Sequence, residues 1–174
     1  EWVSTMASLT KGEVVAIDGK TLRRSFRKAG SGAFVHMVSA WAAGNRMVLG
    51  QVKTEEKSNE ITAIPRLLEL LEIQGCLVTI DAMGCQKEIA AKIVQGGGDW
   101  CLALKGNQGN LHAAVADWIE ARMAEDFAGV EVQTLECQEK KRHGRVDHYT
   151  YYQFPAPREL PGRADWKKLQ TIGV

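Results

Sequence analysis

The chain has 174 residues, of which 45% are hydrophobic and 25% charged, and its formal net charge is +1. This is the balance of an ordinary globular protein, long enough for one domain with a real core and an inserted segment. No apolar run approaches the roughly 18–20 residues that span a membrane. The first ten residues lack a basic region followed by an apolar block, so no signal peptide is expected, and near-neutral charge gives no bulk argument for nucleic acid.

In chain order, residues 13–18 (E-V-V-A-I-D) read as a buried, β-branched strand ending at Gly19. A basic stretch follows with Lys20, Arg23, Arg24, Arg27 and Lys28, and Gly30, Ser31 and Gly32 form a turn. Residues 33–41 and 46–54 read as two more strands around an Ala-Gly-Asn turn, completing an antiparallel meander. Ser58 and Asn59 are N-cap candidates for a helix over 60–73, where Ile61, Ile64, Leu67, Leu68 and Leu71 recur at helical spacing. Strands are expected at 76–81 and 99–105, with a helix at 86–95 stopped by Gly96, Gly97 and Gly98. A long amphipathic helix covers about 110–126. Beyond 130 the pattern alternates, predicting strands at 130–137, 146–154 and 166–174. The expected fold class is α/β: a mixed sheet, three meander strands plus parallel strands, flanked by helices. Residues 1–128 form the core of this reading and 129–174 a β-rich insertion. The ribonuclease-H-like architecture has this order, with the first strand central and the strand after the first helix beside it.

Asp18 and Asp81 each end one of these apolar strands. A carboxylate there is costly unless it is paired, hydrogen-bonded or holding a cation. Two of them on neighbouring strands are what a sheet would give a two-metal phosphoryl-transfer site. Plainer readings exist, since Asp-Gly is a common turn pair and Asp81 could cap the next helix. The G-K-T after Asp18 is not a P-loop, because Val14 stands where that pattern needs glycine. The four cysteines, Cys76, Cys85, Cys101 and Cys137, form no C-x-x-C pair and read as buried thiols in a reducing compartment. His143, Asp147 and His148 fit no standard zinc spacing, and an alternating strand points Asp147 and His148 to opposite faces. The loop L-K-G-N-Q-G-N at 104–110 offers Lys105 to a phosphate and Asn107 and Gln108 to base edges, or is simply a helix-entry turn. Lys140, Lys141, Arg142, His143 and Arg145 form a second basic cluster.

Several runs resemble the insertion-sequence DDE transposases of the H-repeat-associated family. They are A-I-D-G-K-T-L-R-R-S (16–25), T-E-E-K-S-N-E-I-T-A-I-P (54–65), V-T-I-D-A-M-G-C-Q (78–86), L-A-L-K-G-N-Q-G-N-L-H (102–112) and H-G-R (143–145). The resemblance covers nearly the whole chain. It implies an RNase-H-like domain that cuts and joins DNA with divalent metal, two Mg²⁺ (or Mn²⁺) ions in the complete site. Asp18 matches the first catalytic acid and Asp81 the second. In the family the third acid is a Glu in an H-W-G-I-E-N helix after the β-rich insertion, and no such sequence occurs before Val174. The resemblance therefore implies a truncated chain that also begins just before the catalytic domain. Relatives carry Glu two residues after the Arg of H-G-R, where this chain has Asp147; if that position is the third acid, the triad is Asp18, Asp81 and Asp147. The implied partner is DNA, both transposon ends and target, met by Lys20, Arg23, Arg24, Lys105, Asn107, Gln108 and Arg145. A homodimer is a candidate assembly, and the bacterial cytoplasm is the expected compartment. The alternative is a catalytically inactive DNA-binding or vestigial fragment.

Overall fold

The computed structural model describes residues 11–22, 35–54, 60–141 and 144–174. Arg23, Arg24, Arg27, Lys28, the turn at 30–32, Ser58, Asn59, Arg142 and His143 lie outside the described residues. The chain divides into two compact units, Glu1–Asn107 and Gln108–Val174.

In the first unit, the β-branched run of the opening strand, β1 (Val14–Leu22), becomes the centre of a five-stranded sheet. β2 (Val35–Ala42) and β3 (Met47–Thr54) pair with it as an antiparallel meander. β4 (Leu77–Ile80) lies parallel to β1 on its other side, and β5 (Asp99–Leu102) lies parallel to β4. The order is β3-β2-β1-β4-β5, a mixed sheet as the sequence predicts. One face of this sheet carries Val15, Ile17, Val38, Ala40, Val78 and Ile80. Helix α1 (Glu60–Glu69) covers it with Ala63, Ile64, Leu67 and Leu68, and α2 (Lys87–Gln95) adds Ile89 and Ile93. Each large aliphatic side chain taken out of water here contributes about 1.5–3 kcal/mol. α1 stops at Glu69, short of the expected residue 73. Leu70 and Leu71 donate to Leu67 and Leu68, the three-residue spacing that tightens and ends a helix. Pro65 sits past the first turn, where it has no N–H to offer the Ile61 carbonyl.

In the second unit, α3 (Gly109–Ala124) precedes an antiparallel sheet of β6 (Gln133–Lys140), β7 (Val146–Pro155) and β8 (Thr171–Gly173). The sequence drew its boundary after residue 128, beyond this helix. The aromatic side chains explain the earlier division. Trp118 of α3 meets Phe154 of β7 edge-on at 5.3 Å, and Phe127 stacks obliquely on Phe154 and Tyr152. The strand expected over 166–174 shrinks to three residues, because Lys168 takes a positive φ that no strand accommodates and Trp166 is buried just before it. β6 begins later than expected, after a turn in which Asp126, Phe127 and Gly129 have positive φ. Cys76 and Cys85 are buried as expected, while Cys101 and Cys137 are exposed, since each falls on an outward position of its strand. Burial pushes the Cys85 thiol up to about 11, which keeps it protonated and unreactive. Among the described residues no helix is long and apolar enough to cross a membrane.

Candidate metal and DNA site

Strand register brings the two aspartates together. β1 and β4 run parallel with Val15 opposite Val78 and Ile17 opposite Ile80, and the next residues in register are Asp18 and Asp81. Neighbouring strands lie about 4.8 Å apart. Side chains alternate between faces, so with Ile17 and Ile80 in the core, both carboxylates point to the opposite face at the C-terminal end of the parallel strands. Asp81 keeps an extended backbone (φ −68°, ψ 178°), so the alternation holds through it. In open α/β sheets this strand end is where ligands bind. Asp18 also pairs across to Ser39, and Ser39 to Gln51, making a polar row Asp81–Asp18–Ser39–Gln51 over four strands. Gln51 Nε2 donates to Ser39 Oγ at 3.1 Å.

Both carboxylates are open to solvent. The Asp18 side chain is 58% exposed, and Lys20 Nζ lies 3.6 Å from its Oδ2. An ion pair this exposed contributes little to stability and is easily displaced. Asp81 accepts a hydrogen bond from Met83 N at 3.1 Å, capping the short 3-10 turn Ala82–Gly84. Gly84 is required in that turn: a Cβ on it would come within 2.3 Å of Ile80 Cγ2. Asn107 Nδ2 donates to the Ala82 carbonyl at 2.7 Å, tying the loop after β5 to the Asp81 turn. That bond commits one of the two amide protons expected to read DNA. Lys105 is exposed in the same loop, and Gln108 is half-buried at the end of a 3-10 turn.

Two exposed carboxylates in register are hard oxygen donors. They suit Mg²⁺ or Mn²⁺, which take one or two carboxylates and keep several waters, and they do not suit zinc, which favours nitrogen and sulfur. Among the described residues, no three His, Cys, Asp or Glu side chains come together to hold a metal.

Asp147 sits in the second unit, near the β6–β7 turn. Lys141 Nζ pairs with it at 2.7 Å, Arg145 Nε donates to its other oxygen, and the Tyr149 hydroxyl donates at 3.2 Å. The Lys141 hydrogen bond, then that of Arg145, holds this carboxyl below its ordinary 3.8 against some desolvation, with Tyr149 helping; Asp147 in turn raises Lys141 above 10.5. A carboxylate with a depressed folded-state pKa adds stability above its unfolded value, and that stability is lost as pH falls through the folded value. Asp147→Asn is therefore expected to lower the melting temperature at neutral pH, with the gap closing as pH drops below 3.8. Thermal melts of both proteins across that range check it, and a gap that persists in acid would exclude the ion pair as its source.

The family model described as "Transposase DDE domain" matches residues 9–156. The chain belongs to the transposase DDE domain family. Over all of this chain it is 49% identical to the protein named "Putative transposase YncI" of Escherichia coli O157:H7, covering 44% of that protein. Over 99% of this chain it is 41% identical to "H repeat-associated putative transposase YhhI" of E. coli K12, covering 45% of it. This DDE-family chain thus spans a little under half the length of these two relatives. Among solved structures, the piggyBac transposase synaptic complex with hairpin DNA aligns with 85% of this chain and 31% of its own, at TM-score 0.42 and 10% identity.

Ser39, which lies beside Asp18 in the strand register, is not marked out by the sequence. The Ser39 row emerges only once strand register is known.

Proposed function

We propose that this DDE-family chain is the RNase-H-like catalytic portion of a transposase that cuts and joins DNA with divalent metal. The in-register pair Asp18 and Asp81 carries the reading. It puts two solvent-open carboxylates side by side at the strand ends of a chain whose family is named for its acidic residues. In this reading both hold the cation, with Mg²⁺ or Mn²⁺ the metals suited to them. Bound there, the metal would polarise the phosphate and promote attack by water or a 3′-hydroxyl.

The chain's own residues do the positioning. The β1–β4 register fixes the carboxylate spacing, and Asn107 holds the turn from which Asp81 projects. Lys20 can turn from Asp18 to a phosphate once the metal takes that carboxylate. Lys105 and the second amide proton of Asn107 are further contacts for DNA on this unit, while Arg23, Arg24, Gln108 and Arg145 are offered to DNA by their chemistry alone. We assign Asp147 to pinning the end of the β-ribbon, because two cations and a phenol already occupy its oxygens.

That last observation favours a second reading, a DNA-binding module without chemistry of its own, since it leaves the pair without a third acid among the described residues. The test is a nicking assay on this chain and on a version extended to its relatives' length, with Mg²⁺, Mn²⁺ or EDTA. Metal-dependent nicking lost in Asp81→Asn supports the catalytic reading. Nicking that ignores Asp81 overturns it, and salt-sensitive DNA binding without nicking in either version supports the second.

A further inference from the structure

The two aspartates share the outer face of the sheet with residues that the proposed chemistry leaves unused. Val38 and Ala40 of β2 and Val52 of β3 turn into the core, so Met37, Ser39, Gln51 and Lys53 turn outward. Register sorts this face into two rows across the strands. In one, Asp18 lies opposite Ser39 and Ser39 opposite Gln51; in the other, two residues on, Lys20 lies opposite Met37 and Met37 opposite Lys53. Lys20, Gln51 and Lys53 are exposed, and Ser39 and Met37 are half-buried. Strand spacing of about 4.8 Å sets the two lysines roughly 10 Å apart. The bond from Gln51 Nε2 to Ser39 Oγ uses one of the two amide protons and leaves the hydroxyl proton out. Two ammonium groups, a hydroxyl and an amide are donors of the kind that meet phosphate oxygens.

We propose that the outer face of β1, β2 and β3 is a track for the sugar–phosphate backbone of the DNA strand that enters the cation site, with Lys53 as its far contact. The proposal rests on reading Asp18 and Asp81 as that site, and extends it from a point to a surface. An anion is the occupant the charges select: once a divalent cation covers both carboxylates, positive charge runs from the aspartates across to β3. The backbone crosses the strands, passing from the aspartates over Ser39 to Gln51 and Lys53. Contacts of this kind fix where the DNA lies and carry no sequence information.

The probe is a short fluorescein-labelled DNA duplex, its anisotropy followed with the purified 174-residue chain in EDTA. Lys53→Gln is expected to weaken binding about eightfold in about 0.1 M salt, and to lower the slope of log affinity against log salt by about 0.9, the share of one phosphate contact. Two unrelated duplex sequences should lose equally. Lys53→Arg keeps the charge and should stay within about twofold of the parent. Gln51→Glu sets a carboxylate on the track, should weaken binding as much, and carries the test if Lys53→Gln fails to fold. Arg66→Gln is the control. Arg66 is exposed on α1, which covers the opposite face of the sheet, and its loss should change affinity by less than about twofold. If the chain does not bind the duplex, if Lys53→Gln and Gln51→Glu leave affinity and slope unchanged, or if Arg66→Gln matches them, the track falls. The cation site is read separately, by Mn²⁺ uptake in Asp18→Asn. Unchanged uptake there beside weakened DNA binding in Lys53→Gln would remove the cation site and leave the face as a DNA surface.

Discussion

Asp18→Asn in the protein extended to its relatives' length is expected to reduce metal-dependent strand cleavage by about three orders of magnitude or more. The amide keeps the shape and one oxygen but removes the charge, and a hard divalent cation draws most of its affinity from that charge. A loss of about 4 kcal/mol of charge stabilisation at the reacting phosphate corresponds to roughly a thousandfold in rate. The substitution should spare the fold, because the Asp18 side chain is 58% exposed and Lys20, the cation beside it among the described residues, is more exposed still. Cleavage rates in Mg²⁺ and a melting curve without metal separate the two effects. Near-wild-type cleavage would remove Asp18 from the site, whereas a collapsed melting curve would mean that the carboxylate serves the fold.

The largest effect on stability is expected in the second unit. Phe154 is fully buried on β7 and meets the rings of Trp118 at 5.3 Å and Phe127 at 5.6 Å. Cutting it to alanine deletes its buried surface, leaves a cavity the two rings cannot fill, and forfeits two aromatic contacts, a loss of about 3–5 kcal/mol. That is much of what holds a unit this size together. Urea unfolding followed by tryptophan fluorescence reports it directly, since Trp118 lies against the deleted ring. A shift below about 1 kcal/mol would mean the three rings are not a core.

The two substitutions also mark where the sequence was legible. Val14, Val15 and Ile17 announce a buried strand by their β-branched run, and the alternation of apolar strands and helical periods after residue 60 gives the mixed sheet almost element by element. Asp18 and Asp81 stood out because a charged residue at the end of an apolar run is an anomaly that local pattern detects. The partners of the helix around Trp118 were not legible. An amphipathic face states that something covers it, and only the folded chain shows that Phe154 and Phe127 do. The end of the chain misled for a local reason: the apolar residues from Trp166 onward suggest a strand, and the left-handed backbone at Lys168 forbids one.

The placement of both aspartates on the solvent side of the sheet separates inheritance of the fold from inheritance of the chemistry. Losing or gaining one residue within β1 would turn Asp18 into the packing beneath α1 and expel Ile17, so folding itself would reject that change. A point substitution at Asp18 or Asp81 meets no such resistance, because neither carboxylate contributes to the core. On the proposed reading, copies of such a chain can fall silent one base at a time while still folding, so a cooperatively folded product is no certificate of activity.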